Sequence, residues 1–361
     1  MASSEELFRR IVGDERNGFW LTLLRYLLWV CSLIYGLAVW LWLLGYRWRL
    51  FRRSSLTTKV ISVGNITLGG TGKTPLVALL ARILQEREKR VAVLSRGYRR
   101  RGKGIKIISD GKKILSNPQE AGDEPYLLAK SLRNIPVIVG KDRVQAGRLT
   151  TEKFASEILL LDDGFQYLKL RRDLDIAVID AANPFGNGHL LPRGILREPL
   201  SSLKRAHLFC LTRVDQARKL GELENRLNTL NPKTPIVECI HSPCFLRKLP
   251  DGPQVGLERL SGRRVVAFSA VGNPEGFEQS LVKLGAQLVG RMRFKDHHRY
   301  SVKDLERIAR LARNSQAQMV VTTGKDSVNL SQTSVFDIEM WSLEIEIQVV
   351  RGLEYLSEAI G

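Results

Sequence analysis

The stretch SVGNITLGGTGKTP, Ser62–Pro75, decides the fold of this chain, because it places a glycine-rich turn between an apolar strand and a helix. The usual phosphate-binding loop has Gly, four residues, and then Gly-Lys-Ser/Thr. Counted back from Gly72-Lys73-Thr74, the first Gly should stand at position 67, where this chain has Thr67. The turn must therefore close through Gly69-Gly70 instead.

The residues of this turn are those that bind nucleotide phosphates. Backbone N–H groups and the N-terminus of the following helix attract anions. Lys73 would reach the β- and γ-phosphates, and the Thr74 hydroxyl would bind Mg²⁺. Pro75 suits the first helical turn, where its missing N–H costs little. The predicted phosphate-binding residues of the turn are Gly69, Gly70, Thr71, Gly72, Lys73 and Thr74.

A second acidic element completes the predicted nucleotide site. The segment EILLLDDGFQ runs from apolar residues into Asp162 and Asp163. Neighbouring residues at a strand end diverge, so the two carboxylates can have different tasks. We expect Asp162 to serve Mg²⁺, directly or through water, and Asp163 to orient a base or the substrate.

Beyond residue 53, apolar strands alternate with helices. Examples are KVISVGN (Lys59–Asn65), EILLLDDGF (Glu157–Phe165) and LDIAVID (Leu174–Asp180). This pattern predicts an α/β fold of the P-loop NTPase type, with a doubly wound, mostly parallel sheet. A second, smaller α/β domain is predicted from about His241. Its last strand, IEMWSLEIEIQVV, alternates apolar and polar residues, which favours an antiparallel or edge strand.

The N-terminus differs in composition from the rest of the chain. Five of the six tryptophans lie in the first fifty residues, and Tyr26–Tyr46 contains no charged residue. As a helix these residues would extend roughly 31 Å, about the thickness of the bilayer hydrocarbon. The basic segment Arg47–Arg53 follows, which predicts that the body of the protein stays in the cytoplasm. A helix lying in one leaflet is the open alternative to a spanning helix.

The charge balance indicates anionic partners. There are 56 Lys and Arg residues against 37 Asp and Glu residues, a net charge of +19. Such a surplus favours nucleic acid, acidic lipid or phosphorylated substrates. The predicted organisation is an anchoring segment at 1–53, a P-loop core domain at 54–242 and a C-terminal α/β domain at 243–361.

Six motifs in order resemble the tetraacyldisaccharide 4'-kinase family. They are VGNITLGGTGKTP, VLSRGYRR, AGDEPYLLA, LLDDGFQYLKLRRDLDI, LLPRGILREPLSSLKRA and FKDHHRYS. The resemblance implies a membrane helix, a P-loop core and a smaller α/β domain that closes a cleft. It also implies transfer of the ATP γ-phosphate, with Mg²⁺, to the 4'-hydroxyl of a tetraacylated glucosamine disaccharide 1-phosphate. The implied place is the cytoplasmic face of the bacterial inner membrane.

The resemblance also implies catalytic roles. The acid of the GDEP motif, the expected base for the sugar hydroxyl, falls on Asp123. The first His of the DHH motif falls on His297, expected to pair with Asp163 across the cleft. Either Asp123 or the Asp163–His297 pair could take the proton, and the sequence leaves both open. Lys73 is expected to neutralise the charge that develops on the transferred phosphoryl group.

Further positions match phosphate or metal ligands of the family. They are Arg143, Arg197 and Glu198, with Gln166 expected near the metal. Two residues depart from the family pattern. Arg193 stands where Ala is more frequent, and Gly324 in TTGKD stands where an acid is more usual, which leaves the role of Lys325 undetermined.

Two other classes remain as alternatives. A membrane-associated P-loop switch would have a similar double-glycine loop, but with a further Lys before it, where this chain has Leu68. A nucleic-acid-binding ATPase would need aromatic and basic residues interleaved on an exposed face. The anionic membrane surface explains the basic charge instead, so we expect no nucleic acid and no obligate protein partner.

Overall fold

The computed structural model describes residues 18–98, 100–250, 252–296, 298–330 and 337–361. The strands, in chain order, are β1 Lys59–Gly64, β2 Val91–Ser95, β3 Lys106–Ser109, β4 Val137–Val139, β5 Ile158–Asp162, β6 Leu174–Asp180, β7 Leu208–Thr212, β8 Ile236–Lys248, β9 Gln254–Val255, β10 Arg264–Ser269, β11 Gln287–Arg293, β12 Met319–Thr323 and β13 Met340–Arg351.

Helices connect most of these strands. They are α1 Phe19–Arg47, α2 Lys73–Glu86, α3 Pro118–Ala121, α4 Asp123–Ser131, α5 Arg143–Phe154, α6 Leu220–Leu230, α7 Pro274–Lys283, α8 Val302–Asn314, α9 Gly324–Ser327 and α10 Leu353–Ile360. Short 3₁₀ helices lie at Leu200–Arg205, Val214–Gln216 and Leu257–Leu260.

The described chain forms two compact units built from separate segments. The first unit comprises the residues up to Arg96, Asp142–Ile240 and Val349–Gly361. The second comprises Gly97–Lys141 and His241–Gln348. The domain borders predicted after residues 53 and 242 stay predictions.

The first unit contains a parallel sheet in the order β2-β5-β1-β6-β7-β8. Every residue of β2, β5 and β7 is buried, as expected for parallel strands covered on both faces. The central position of β1 aligns Val63 with Asp162 of β5, so the loop after β1 and the acids after β5 lie at the same edge. The prediction of a mostly parallel α/β fold is confirmed.

The second unit has a mixed arrangement. Strands β11, β10, β12 and β13 pair in parallel in that order, while β8–β9 and β3–β4 are antiparallel pairs. Its core contains the buried Trp341, Phe268 and Leu260. It is therefore an α/β unit with its own apolar core, as predicted for the smaller domain.

Strand β13 has one parallel and one antiparallel neighbour. It pairs in parallel with β12 and lies between β12 and β8, so the predicted edge position is wrong. Against β8 it runs antiparallel, since Leu249 N donates to Met340 O and Cys244 Sγ to Glu344 O, which agrees with the antiparallel alternative. Its first residues, Met340–Leu343, are buried at every position, while most of the following ones are partly exposed. Alternation in the second half of the strand therefore gave no information about the first.

Helix α1 is longer than the apolar run that predicted it. Its 29 residues extend about 43 Å. Within the described residues, it is the one helix long and apolar enough to cross a membrane. One face contacts the first unit through Ser32, Tyr35 and Gly36. Much of the rest is exposed, including Trp20, which is 79% exposed.

Candidate functional site

The loop between β1 and α2 presents open backbone at its tip. Gly69 has φ 109° and Gly72 has φ 88°, both in the left-handed region that favours glycine. A Cβ added at Gly69 or Gly70 would meet no heavy atom of the described residues within 4 Å. Space for a ligand therefore lies directly against the backbone, at the N-terminal end of α2.

Asn65 holds the two sides of this loop together. Its Nδ2 donates to Thr71 Oγ1 at 3.0 Å and to Thr67 Oγ1 at 3.2 Å, and Lys73 Nζ donates to its Oδ1 at 3.2 Å. Asn65 is 1% exposed, so these bonds are shielded from water. The side chain of Thr67 thus helps to stabilise the loop at the position where the usual loop has Gly.

Two residues from other strand ends support the loop from behind. Thr212, the last residue of β7, donates its hydroxyl to Thr71 O at 2.8 Å. Arg213 donates to Gly70 O at 2.9 Å and forms an ion pair with Asp180 at the end of β6. The sequence analysis missed Asn65, Thr212 and Arg213. Their position directly at the ends of predicted parallel strands is the signal that could have found them.

The two acids after β5 diverge as predicted. Asp162 is 1% exposed and accepts a hydrogen bond from Ser95 Oγ, at the end of β2, at 3.2 Å. Asp163 has φ 54°, an unusual conformation for a residue other than glycine. Its carboxylate accepts from Arg197 Nη2 at 2.8 Å and Nη1 at 3.1 Å, and lies 3.7 Å from Lys73 Nζ.

Charge determines the protonation state of Asp163. Burial raises its pKa, but the hydrogen bond from Arg197 and the charges of Lys73, Arg197 and Arg143 outweigh burial and hold the pKa well below its usual range. Arg143 is itself 4% exposed, and burial, followed by repulsion from Arg96, lowers its pKa. An ionised Asp163 faces more than one cation, so the cluster can accommodate a polyanion such as a nucleotide's phosphates.

The predicted metal ligands differ in how they are engaged. Gln166 donates its amide N–H to Asn65 O at 2.8 Å, and its buried Oε1 has no hydrogen-bond partner in the described part of the chain. Glu198 is 1% exposed and its carboxylate contacts Arg205, with oxygens 2.8 and 2.9 Å from Nη2. Among the described residues, no group of three or more His, Cys, Asp or Glu is placed to hold a metal. A bound Mg²⁺ would therefore need phosphate oxygens in addition to protein oxygens.

The first unit thus brings most of the predicted site together. The sequence-predicted residues in it are Gly69, Gly70, Thr71, Gly72, Lys73, Thr74, Arg143, Asp162, Asp163, Gln166, Arg197 and Glu198. Asp123 belongs to the second unit. His297 lies outside the described residues, so its predicted pairing with Asp163 stays a prediction.

In the second unit, Asp123 is the first residue of α4. It is preceded by Gly122, which has φ 88°. A Cβ at Gly122 would lie 2.9 Å from Tyr98 O, so only glycine fits this turn. Asp123 is partly buried, and a carboxylate at this end of a helix is favoured by the helix dipole.

The DHH loop of the second unit is fixed on both sides of His297. Asp296 forms an ion pair with Lys325 at 3.0 Å, which gives Lys325 a contact that the sequence did not predict. His298 stacks on Phe294 at 4.8 Å between ring centroids, and its Nε2 lies 3.0 Å from Asp304 Oδ2.

The departure at Gly324 has no structural explanation. A Cβ at this position would lie nearest to the carboxylate end of Glu344, a flexible side chain of β13 that can move aside. The next-but-one residue, Asp326, is 2% exposed and accepts from Thr323 Oγ1 at 2.7 Å and from Ala270 N at 3.0 Å. Burial raises the pKa of Asp326 despite these two donors.

Comparison with known proteins gives consistent matches over the length of the chain. The family model described as Tetraacyldisaccharide-1-P 4'-kinase matches residues 24–360. The tetraacyldisaccharide 4'-kinase of Syntrophus aciditrophicus is 44% identical over 332 residues, covering 90% of this chain and 89% of that protein. That of Halothermothrix orenii is 40% identical over 354 residues, covering 93% and 92%. The crystal structure of LpxK from Aquifex aeolicus in complex with ATP is similar with a TM-score of 0.76 and 33% identity, covering 93% of this chain and 98% of that one.

Proposed function

The chain belongs to the tetraacyldisaccharide-1-P 4'-kinase family, and from this premise we propose how its residues divide the work of phosphoryl transfer. It is an ATP-dependent kinase of lipid A biosynthesis that phosphorylates the 4'-hydroxyl of tetraacyldisaccharide 1-phosphate. The observation that carries the proposal is the cluster of Lys73, Arg197 and Asp163 beside the open glycine loop.

The loop and its cations bind the ATP phosphates. The backbone N–H groups of the glycine turn receive phosphate oxygens, and Lys73 reaches the β- and γ-phosphates. Arg197 and Arg143 neutralise charge that develops on the γ-phosphoryl oxygens. Asp163 keeps Lys73 and Arg197 oriented while the site is empty of nucleotide, because its carboxylate contacts both.

The oxygens near the loop fit a Mg²⁺ ion that is shared with the phosphates. The Thr74 hydroxyl, the Asp162 carboxylate and the buried Oε1 of Gln166 are hard oxygen donors of the kind that Mg²⁺ prefers. Glu198 is engaged by Arg205, so we place it in the outer shell of this site. When bound, the ion supplies charge neutralisation for the transferred group.

We assign proton acceptance from the 4'-hydroxyl to Asp123. The low pKa of Asp163 makes it a poor proton acceptor, and its carboxylate already contacts two cations. In a loose transition state the hydroxyl needs orientation more than early deprotonation, so a weak base such as a carboxylate suffices. His297 remains the alternative acceptor, with Asp163 as its orienting partner.

Helix α1 attaches the enzyme to the cytoplasmic face of the inner membrane. The substrate's acyl chains lie in the bilayer, so the site must work at its surface. One face of α1 is held by the protein, while Trp20, Leu27 and Ile34 are 79%, 59% and 66% exposed. We propose that this exposed face lies in the bilayer surface. Basic residues after the helix and the net charge of +19 add about 1 kcal/mol for each cation near anionic lipid.

The proposal is tested with γ-labelled ATP, Mg²⁺ and tetraacyl disaccharide 1-phosphate in mixed micelles, resolved by thin-layer chromatography. Label should enter the lipid band, and Lys73→Ala should lower the rate by about 10²–10³-fold, because one preorganised charge in the transition state is lost. Lys219→Ala is the matched control, since Lys219 is exposed and its ion pair among the described residues is with Glu222, three positions along the chain.

Two results would contradict these assignments. Full activity of Lys73→Ala would remove the phosphate-binding role of the loop. ATP consumption without labelled lipid would favour the switch-type ATPase instead.

A further inference from the structure

A polar contact joins the apolar helix α1 to a short segment of the first unit, residues 190–197, which we call the strap. Ser32 Oγ accepts from Arg193 N at 3.0 Å and lies 2.9 Å from both Leu190 O and Leu28 O, which compete for its one hydroxyl hydrogen. Tyr35 donates its hydroxyl to Arg197 O at 2.8 Å. Ser32 is 4% exposed, so an apolar helix here buries polar bonds to a loop.

The helix also approaches the strap closely. A Cβ added at Gly36 would lie 2.9 Å from Leu190 Cδ1. Ser32, Tyr35 and Gly36 are spaced i, i+3 and i+4, so they form one face of the helix. The strap is itself folded, with Leu191 N donating to Leu196 O and Gly194 N to Leu190 O, both at 2.9 Å. Contact with α1 is therefore made by a defined surface.

The strap also pairs with the phosphate loop. Arg197 N donates to Ile66 O at 2.7 Å, and Leu68 N donates to Ile195 O at 2.7 Å. Thr67 and Leu196 form an antiparallel bridge between these two bonds. The strap thus lies between α1 and the loop, and its backbone is hydrogen-bonded to both.

Arg197 is the residue in which the two contacts meet. Its backbone N–H is held by the loop, its backbone carbonyl by Tyr35, and its guanidinium by Asp163 and by Asn65 O. The guanidinium bonds to Asp163 and to Asn65 O are 2.8 to 3.1 Å long, and the guanidinium also donates to Asn65 Oδ1. Because catalytic geometry tolerates errors of only about 0.5 Å, a shift of the Arg197 backbone would weaken these bonds.

We propose that Tyr35 is a positioning residue of the kinase, which holds Arg197 in place through its backbone carbonyl and so links the seating of α1 to the phosphate site. Ser32 supports the same contact by holding the other end of the strap. The inference rests on the proposed role of Arg197 in neutralising phosphoryl charge. In the contacts of the described residues Tyr35 touches neither the phosphate loop nor Asp162 or Asp163, although the charge of Glu198 acts on it, and we infer that it acts through Arg197.

The first test compares two tyrosines of the same helix in the full-length protein. Tyr35→Phe removes only the hydroxyl and should lower kcat about 5–10-fold, with a change in the KM for lipid of less than twofold. Tyr26→Phe is the matched control, because Tyr26 is 64% exposed and its ring contacts Trp29 within the helix. It should leave kcat unchanged. An unchanged kcat in Tyr35→Phe, or an equal loss in both variants, overturns the proposal.

A double-mutant cycle separates positioning from general stabilisation. If Tyr35 acts through Arg197, Tyr35→Phe should cause no further loss of kcat in an Arg197→Ala background. Losses that multiply in the double variant would overturn the proposal. Full activity of Arg197→Ala alone would instead refute the assigned role of Arg197, so the two failures are distinguishable.

Thermal unfolding and a second variant test whether a loss of kcat comes from a folding defect. Tyr35→Phe should keep its Tm within about 2 °C of the parent, because one partly exposed hydrogen bond contributes little to global stability. Ser32→Ala should lower kcat in the same direction. A large drop in Tm with normal kcat at low temperature, in both variants, would assign Tyr35 and Ser32 to stability alone.

Discussion

Two aspartates that follow parallel strands, one in each unit, have opposite surroundings. Asp163 follows β5 and contacts the charged groups of Arg197 and Lys73. Asp326 follows β12 and accepts from the hydroxyl of Thr323 and the backbone N–H of Ala270. The pKa of Asp163 is lowered, since cations outweigh burial, whereas burial raises the pKa of Asp326.

This difference in pKa shift shows how the surroundings of a carboxylate indicate its role. A carboxylate that balances side-chain cations can give them up to a stronger anion, which suits a phosphate site. A carboxylate that satisfies a backbone N–H and a hydroxyl fixes the ends of β10 and β12 and has little to exchange. We therefore assign Asp163 to the chemistry and Asp326 to the fold of the second unit.

The largest expected effect is on activity. Asp163→Asn keeps the shape of the side chain but removes the carboxylate that orients Lys73 and Arg197, so kcat should fall about 10²-fold, the loss expected when charged groups are misplaced by about 1 Å. Steady-state lipid phosphorylation measures it. Asp326→Asn is the matched control, and a comparable fall of kcat in this variant would break the distinction between the two aspartates.

The next effect is on stability. Asp326→Ala removes the acceptor of two buried donors, so the free energy of unfolding should fall by about 1–3 kcal/mol while kcat of the folded enzyme stays near the parent value. Denaturant unfolding measures this change, followed by the fluorescence of Trp341, the one tryptophan among the described residues of the second unit. Unaltered stability would show that Asp326 is not a structural residue.

The smallest effect is the dependence of stability on pH, and its sign differs between the two aspartates. The unfolded pKa of both is near 3.8. Asp163 has a lower folded pKa, so its contribution is present above pH 3.8 and is lost as the pH falls through the folded value. Asp326 has a raised folded pKa, so its contribution is present below 3.8 and is lost as the pH rises through the folded value.

The measurement is the difference in the free energy of unfolding between the parent and each Asn variant, from denaturant titrations at pH 7 to pH 3. Parent minus Asp163→Asn should begin to shrink below pH 3.8, and parent minus Asp326→Asn should grow as the pH falls toward 3.8, each by up to about 1.4 kcal/mol per pH unit between the folded and unfolded pKa values. Slopes of the same sign would show that the two surroundings do not differ in the way described.

Much of the site could be predicted from the sequence because its parts are local. The glycine turn, Lys73 and the acids after β5 lie within short motifs whose order of strand, turn and helix defines the phosphate loop. Asn65 and Thr212 could not be assigned from a motif. Their roles depend on β1 and β7 ending at the same edge of a sheet, although the two residues are far apart in the chain.

The position of β13 in the sheet also needed the structure. The strand lies between β12 and β8, so the expected edge position is wrong, while its contacts with β8 agree with the antiparallel alternative. Its periodicity reflects partial exposure of its second half only.

The sequence by itself determined the α/β class, the phosphate loop, the apolar N-terminal helix and the family, because each is written in contiguous residues with a fixed period or spacing. Only the tertiary structure decided which cations Asp163 balances, that Thr67 stands in place of a glycine and bonds to Asn65, and that Tyr35 of helix α1 holds the backbone of Arg197. These are contacts between segments up to 162 positions apart, and their formation depends on how strands and helices pack, which no local pattern encodes.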